Sequence, residues 1–179
     1  WIDLEESSHL YDALTAEVPW RQETITLFGE NHLVPRLSAW YGDPGARYSY
    51  SGIAHEPVSW TPTLTTLRQR VSDIAQAPFN SVLVNWYRDG HDANGWHADD
   101  EPELGRRPVI ASLSLGVTRP FRFRLKVNHR MIHSVDLHSG DLIVMRGDCQ
   151  SLWQHTIPRT KRPLGGRINL TFRQIMTDL

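Results

Sequence analysis

The stretch that runs from Asn85-Trp86-Tyr87 to Trp96-His97-Ala98-Asp99-Asp100-Glu101 decides how the chain is read, because it sets a histidine and a carboxylate two residues apart behind an apolar run. In an extended strand residues i and i+2 project to the same face, so this spacing aims the His97 imidazole and the Asp99 carboxylate at one point, as a metal site requires. A third ligand must come from elsewhere. His155, in the strand-like run Leu152-Trp153-Gln154-His155-Thr156-Ile157, is the candidate. By itself His-x-Asp says little, since 9 histidines and 20 acidic residues produce such spacings by chance, and a hydrogen-bonded loop histidine is the ordinary alternative.

A second stretch adds weight. Arg167-Ile168-Asn169-Leu170-Thr171-Phe172-Arg173 alternates so that Ile168, Leu170 and Phe172 take one face of a strand and Arg167, Asn169, Thr171 and Arg173 the other. Buried arginines need anionic partners. A dicarboxylate bound beside the metal would supply one, and the planar guanidinium grips a carboxylate with two parallel bonds where lysine offers a point charge. Asn85 and Tyr87, again two apart, can add neutral hydrogen bonds to the same ligand. Two imidazoles and one carboxylate on one side of an ion make the facial arrangement of non-haem Fe(II) oxygenases, with open positions opposite for chemistry.

Outward from these motifs the chain changes character at residue 80. Short runs at 82–88, 109–115, 121–127, 131–137, 141–146, 152–157 and 167–175 are separated mostly by turn signals, which predicts two packed antiparallel sheets. Upstream, Thr61-Pro62 starts a helix with Leu64, Leu67, Val71 and Ile74 on one side and Pro78 just past its end. Nearer the N-terminus, Ser7 or Ser8 would cap a short helix with Leu10, Ala13 and Leu14 inward, ended by Pro19. Between the helices, Gly29, Pro35, Gly42, Pro44 and Gly45 predict short hairpins and loops, a region able to form a lid. The fold class expected is mostly β with flanking helices (α+β).

At 179 residues and 40% hydrophobic content the chain reads as one domain with a buried core. No apolar run approaches the roughly 20 residues needed to span a bilayer, and no signal-peptide pattern is present, so a soluble intracellular protein without a membrane partner is expected, cytoplasmic in a bacterium and nuclear in a eukaryote. A single cysteine, Cys149, rules out an internal disulfide and fits a reducing compartment. Net charge is −1, so binding to a polyanion has to come from basic residues gathered on one face.

Taken together, Pro35 through Asp43, Asn85-Trp86-Tyr87, His97 through Glu101, His155, and Arg167 through Arg173 resemble the AlkB-type Fe(II)- and 2-oxoglutarate-dependent dioxygenases that repair alkylated bases. The resemblance implies a double-stranded β-helix, or jelly roll, over about 80–176 with a nucleotide-recognition lid over about 20–60. It implies His97, Asp99 and His155 as Fe(II) ligands, with Asn85, Tyr87, Arg167, Thr171 and Arg173 around 2-oxoglutarate and O2 as the other cosubstrate. It also implies demethylation of 1-methyladenine and 3-methylcytosine in DNA, with succinate, carbon dioxide and formaldehyde released.

The same family pattern sets Asp100 and Glu101 at the base pocket as acceptors for an exocyclic amine, the ordinary alternative being a solvated acidic loop. Tyr41, Tyr48, Ser49 and Tyr50 belong to the expected substrate surface, Tyr50 matching the aromatic that stacks on a flipped base. Phe28 and Gly29 resemble the hydrophobic finger of duplex-preferring members. Arg36, Arg122, Arg124, Lys161 and Arg162 are expected along the phosphates, with Arg122, Arg124 and Lys126 forming the basic face of one strand. The short connection from Lys126 to His133 departs from duplex-preferring relatives, so action on single-stranded and double-stranded DNA is expected, by a monomer. His91-Asp92 and His55-Glu56 diverge in a strand, and His129, His133 and His138 fall near turns around Asn128 and Ser139-Gly140; all are expected at the surface. RNA or protein as substrate, and an inactive nucleic-acid-binding module, are the alternatives.

Overall fold

The first amphipathic segment folds as α1 (Leu4–Glu17). Its cap is Asp3, whose Oδ1 accepts the Glu6 N–H at 2.8 Å, not Ser7 or Ser8 as expected. Ser7 is already inside the helix, its hydroxyl donating back to the Leu4 carbonyl at 3.1 Å. The inward stripe is Ser7, Leu10 and Leu14, while Ala13 is exposed. The computed structural model describes every residue except 28, 51–52 and 177–179, and only the backbone at 27, 48–50 and 53–55.

Two hairpins follow. β1 (Thr24–Leu27) pairs with β2 (Glu30–Leu33) across a tip where Gly29 adopts a φ of +84°, a conformation a side chain would strain. After β3 (Leu37–Gly42), β4 (Tyr48–Tyr50) pairs with β5 (Ile53–His55). Helix α2 (Pro62–Ala75) begins as its sequence predicts, with the Thr61 hydroxyl accepting the Leu64 N–H at 3.2 Å and Pro62 at the first turn. It ends on Gln76 in the left-handed region, φ 48°. Leu64, Leu67, Val71 and Ala75 are buried; Ile74 lies on the flank of the stripe and is exposed.

The remaining chain makes β6 (Ser81–Tyr87), β7 (Asn94–His97), β8 (Ile110–Gly116), β9 (Arg119–Leu125), β10 (Asn128–Leu137), β11 (Leu142–Met145), a short helix α3 (Cys149–Leu152), β12 (Trp153–Ile157) and β13 (Arg167–Arg173). They form two antiparallel sheets, ordered β11-β8-β13-β6-β3 and β10-β9-β12-β7. Apart from the added β3, consecutive strands from β6 to β13 pass from one sheet to the other except at the β9–β10 hairpin, with four strands in each sheet, a jelly-roll winding. The sheet segments match the expected runs within a few residues, except that β7 falls outside all of them and that the presumed connection at 128–130 is already strand, joined to β9 by a turn at 126–127. His129 and His133 therefore lie on β10 rather than at turns, although both are exposed as expected.

The five-stranded sheet has two unlike faces because side chains alternate across a strand. Val82, Val84, Ile168, Leu170, Phe172, Ala111, Leu113 and Leu115 are buried against the helices with Leu14, Leu64, Leu67 and Val71. Each such aliphatic side chain contributes roughly 1.5–3 kcal/mol. The other face looks at the second sheet, and it is polar. Among the described residues no helix is long and apolar enough to cross a membrane.

Candidate active site

Strand register gathers this polar face. Ser38 sits opposite Asn85 and Trp40 opposite Leu83; Arg167 lies beside Tyr87, Asn169 beside Asn85, and Thr171 beside Leu83; Ser114 and Ser112 flank Asn169 and Thr171 from the far side. Between this floor and the four-stranded sheet is a cavity of about 310 Å³. Its opposite wall carries Trp96, His97, Asp99, Phe121, His155 and Ile157.

His97, Asp99 and His155 converge there, each offering a ligand atom within 4.8 Å of the others. The two histidines are direct cross-strand partners between β7 and β12, with ring centroids 4.2 Å apart. β7 ends at His97, so Asp99 does not share its strand face, contrary to the spacing argument. Asp99 reaches the same point from the following loop, its own N–H anchored on Gln150 Oε1 at 2.9 Å. His97 Nδ1 donates to the Gly95 carbonyl at 2.8 Å, which leaves Nε2 as the nitrogen with a lone pair.

The Asp99 carboxylate is 1% exposed. Arg173 Nη2 donates to its Oδ1 at 2.7 Å, while Oδ2 is buried without a hydrogen bond, 3.9 Å from His155 Nε2. Burial pushes this carboxyl up, but Arg173 and the two imidazoles more than offset it and hold it at about 2. His155 is pulled down to about 3 by burial first and by neighbouring His97 second, so its imidazole is neutral at physiological pH. Two facing imidazoles, that of His155 neutral, with an ionised, partly unsatisfied carboxylate fit a divalent transition metal.

Stability of the metal-free chain should follow these shifts. Below the ordinary histidine range of about 6.5, the unfolded chain takes up a proton at His155 that the folded chain refuses until about 3. The Asp99 contribution is complete above its ordinary carboxylate value and is lost as pH falls through about 2. His155 therefore makes Tm fall as pH drops from 7 toward 4, and Asp99 adds to the fall only below its ordinary carboxylate value of 3.8. Melting curves of chelator-treated protein test this; His155→Gln should flatten the slope, and an unchanged slope would refute the His155 assignment.

At the other end of the floor Arg167 is 1% exposed. Its Nη2 donates to Ser114 Oγ at 2.8 Å and its guanidinium lies 5.3 Å from the Tyr87 ring centroid. Nε and Nη1 are buried with no acceptor at hydrogen-bonding geometry among the described residues. Burial pulls this guanidinium down to about 10. Between the two arginines, Thr171 donates to Asn169 Oδ1 (2.9 Å), Asn169 donates to Ser112 Oγ (2.7 Å), and Arg36 Nε donates to Asn85 Oδ1 (2.9 Å). The floor is thus polar yet internally cross-linked, with a buried arginine at each end.

Several expected site residues lie elsewhere. Tyr41 is on the opposite face of β3 from Trp40 and packs in the helix-side core, because one step along a strand reverses the face. Arg36 is buried on the cavity wall, bonded to Asn85 and to the Ala93 carbonyl, so it cannot track phosphates. Asp100 points outward and pairs with Lys126 Nζ at 2.7 Å, while Glu101 lines the cavity. Arg124 stacks on Trp96, 4.5 Å from the ring centroid, and bonds Gln154; Arg122, Lys161 and Arg162 are exposed. Gly29 is at the hairpin tip, whereas Phe28 and the side chains of Tyr48, Ser49 and Tyr50 lie outside the described residues. Sequence reading missed Ser112, Ser114, Gln150, Trp40 and Met145; only Ser112 and Ser114 carried a signal, two polar residues two apart in an apolar strand.

A family model described as the 2OG-Fe(II) oxygenase superfamily matches residues 1–173. The mouse protein called alpha-ketoglutarate-dependent dioxygenase alkB homolog 3 is 40% identical over 99% of this chain and 65% of its own length, and the human protein of that name has the same figures. Mouse DNA oxidative demethylase ALKBH2 is 42% identical over 85% of this chain and 66% of its own length. The chain spans slightly less than two thirds of these relatives. The solved structure of OsALKBH1 superposes with a TM-score of 0.68 over 96% of this chain and 91% of that one, at 20% identity, a likeness of fold.

Proposed function

Because the chain belongs to the 2OG-Fe(II) oxygenase superfamily, and within it to the AlkB-type members, we propose that it demethylates alkylated bases in DNA with Fe(II), 2-oxoglutarate and O2. The observation that carries the reading is the convergence of His97, Asp99 and His155 at one end of a cavity whose other end is Arg167. Iron held there with 2-oxoglutarate supplies the oxidation, in which O2 is consumed, succinate and carbon dioxide form, and the hydroxylated N-methyl group leaves as formaldehyde.

The chain's own residues position the reactants. His97, Asp99 and His155 hold the metal; Arg173 keeps the Asp99 carboxylate ionised and in place. Arg167 pairs with the far carboxylate of 2-oxoglutarate, supported by Tyr87 and Asn85, while Thr171 packs the middle of the floor. Trp96 and Glu101, which line the cavity, take the base together with the 20–60 lid, to which the family pattern assigns Tyr48, Ser49 and Tyr50; an extruded base needs an acceptor and a stacking surface. Arg122, Arg124, Lys161 and Arg162 attract the backbone. Residues 80–176 make the catalytic core of an intracellular monomer.

Protein loaded with Fe(II) should convert 2-oxoglutarate to succinate faster when an oligonucleotide carrying 1-methyladenine or 3-methylcytosine is present. No stimulation by any methylated nucleic acid would overturn repair, and matched RNA, DNA and peptide substrates separate the alternatives. A module that only binds nucleic acid would neither retain stoichiometric Fe(II) nor lose function with a chelator. Phe28, which the family pattern assigns to the finger, gives a finer test. Phe28→Ala should slow repair of double-stranded DNA several-fold while sparing single-stranded DNA, because an apolar wedge matters only where a base must be unstacked from a duplex. Equal losses on both forms would assign Phe28 to packing.

A further inference from the structure

Behind the Arg167 end of the cavity, within reach of the Tyr87 ring that lines it, lies a second buried cation. Arg119 begins β9 and is fully buried. It meets neutral carbonyl oxygens: Nη1 donates to Asp89 O at 2.9 Å, and Nη2 to Asp92 O at 3.0 Å and Pro158 O at 2.7 Å. Its Nε is buried with no hydrogen-bond partner among the described residues. The carboxylates nearby are engaged or wet: Asp92 is forked by Arg88 at 2.7 and 3.0 Å, and the Asp89 side chain is 52% exposed.

Arg119 and Arg167 share one aromatic ring. The Arg119 guanidinium carbon is 5.9 Å from the Tyr87 ring centroid and that of Arg167 is 5.3 Å from it. A ring quadrupole attracts either cation but does not neutralise two of them. Like charges buried together repel strongly where water is excluded. Such a pair is stabilised when an anion enters the cavity beside Arg167, and the three carbonyl bonds hold Arg119 and the 88–93 loop near Tyr87 before the anion arrives. That is preorganisation: the cost of gathering positive charge is met by the fold and recovered on binding.

We infer that Arg119 is a positioning residue for the distal carboxylate of the 2-oxo acid, acting through Tyr87 and adding a second positive charge behind Arg167. The inference rests on the reading of this cavity as the 2-oxoglutarate site. It assigns to Arg119 an effect confined to ligands that carry the distal carboxylate, whereas a purely structural arginine would affect all ligands of the cavity alike.

The test is calorimetric titration of Mn(II)-loaded protein with 2-oxoglutarate and with 2-oxopentanoate, which keeps the keto-acid end and lacks the distal carboxylate. Arg119→Gln, which retains donors and loses charge, should weaken 2-oxoglutarate roughly tenfold and leave 2-oxopentanoate within about twofold. Arg119→Lys should restore 2-oxoglutarate to within about threefold of wild type, since it returns the charge. Equal weakening of both ligands, unchanged 2-oxoglutarate affinity in Arg119→Gln, or no rescue by Arg119→Lys overturns the inference. If Arg119→Gln does not fold, Arg119→Lys decides alone by the ratio of the two affinities, and failure of both to fold assigns a structural role. Wild-type protein that does not bind 2-oxoglutarate at all would instead overturn the reading of the cavity.

Discussion

Asp99→Ala is expected to abolish coupled turnover, a loss of at least about a thousandfold, because it removes the only anionic member of the proposed metal set and leaves two neutral imidazoles. Stability should respond as well. Arg173 Nη2 donates to Asp99 at 2.7 Å in a fully buried setting, and removing one partner of a buried pair costs roughly 3–5 kcal/mol. The variant should remain folded with a lower Tm, and Asp99→Asn, which preserves the shape, should lose turnover with a smaller drop in Tm. Succinate formation with a methylated oligonucleotide, measured beside the melting curve, checks both. Retained turnover in Asp99→Ala would sink the assignment of the three ligands.

Arg167→Lys should mainly raise the 2-oxoglutarate concentration needed for half-maximal turnover, by about tenfold or more, with a smaller effect on the maximal rate. Lysine keeps the charge but loses the planar fork, and a charge-assisted hydrogen bond is worth roughly 1.5–3 kcal/mol. The structure sharpens this expectation, since Ser114 Oγ and the Tyr87 ring hold the guanidinium on two sides while Nε and Nη1 are buried with no hydrogen-bond acceptor among the described residues. Arg173 cannot substitute. It lies six residues along β13, roughly 20 Å away at the usual strand rise, and is committed to Asp99. A titration showing an unchanged 2-oxoglutarate requirement would refute the role of Arg167.

Much of this was legible in the sequence. The alternation in Arg167–Arg173 predicts one polar and one apolar face, and both are found, since period-two patterning reports the face a strand turns to the core. Thr61-Pro62 marks the start of α2 because cap and first-turn chemistry are local. The N-terminal cap was misplaced for the same reason in reverse: Asp3, Ser7 and Ser8 are all good caps by type, and burial of Ser7 against the strands decides among them.

Residue types and their order by themselves determined the fold class, the three residues that converge in the cavity, and the strand that carries both arginines. Which side of β3 meets the cavity, so that Trp40 lines it and Tyr41 does not, was decided by the register of β3 on β6. Cross-strand neighbours likewise brought Ser112 and Ser114 beneath β13, and a loop rather than a strand delivered Asp99 to the two histidines. The ion pair that withdraws Asp100 from the base pocket and the hydrogen bond that withdraws Arg36 from the surface join residues far apart in the chain. Local pattern records the period of an element and its exposed or buried face. It does not record which distant side chain is packed opposite, and at this site those long-range partners set the charge, the donors and the direction of every group.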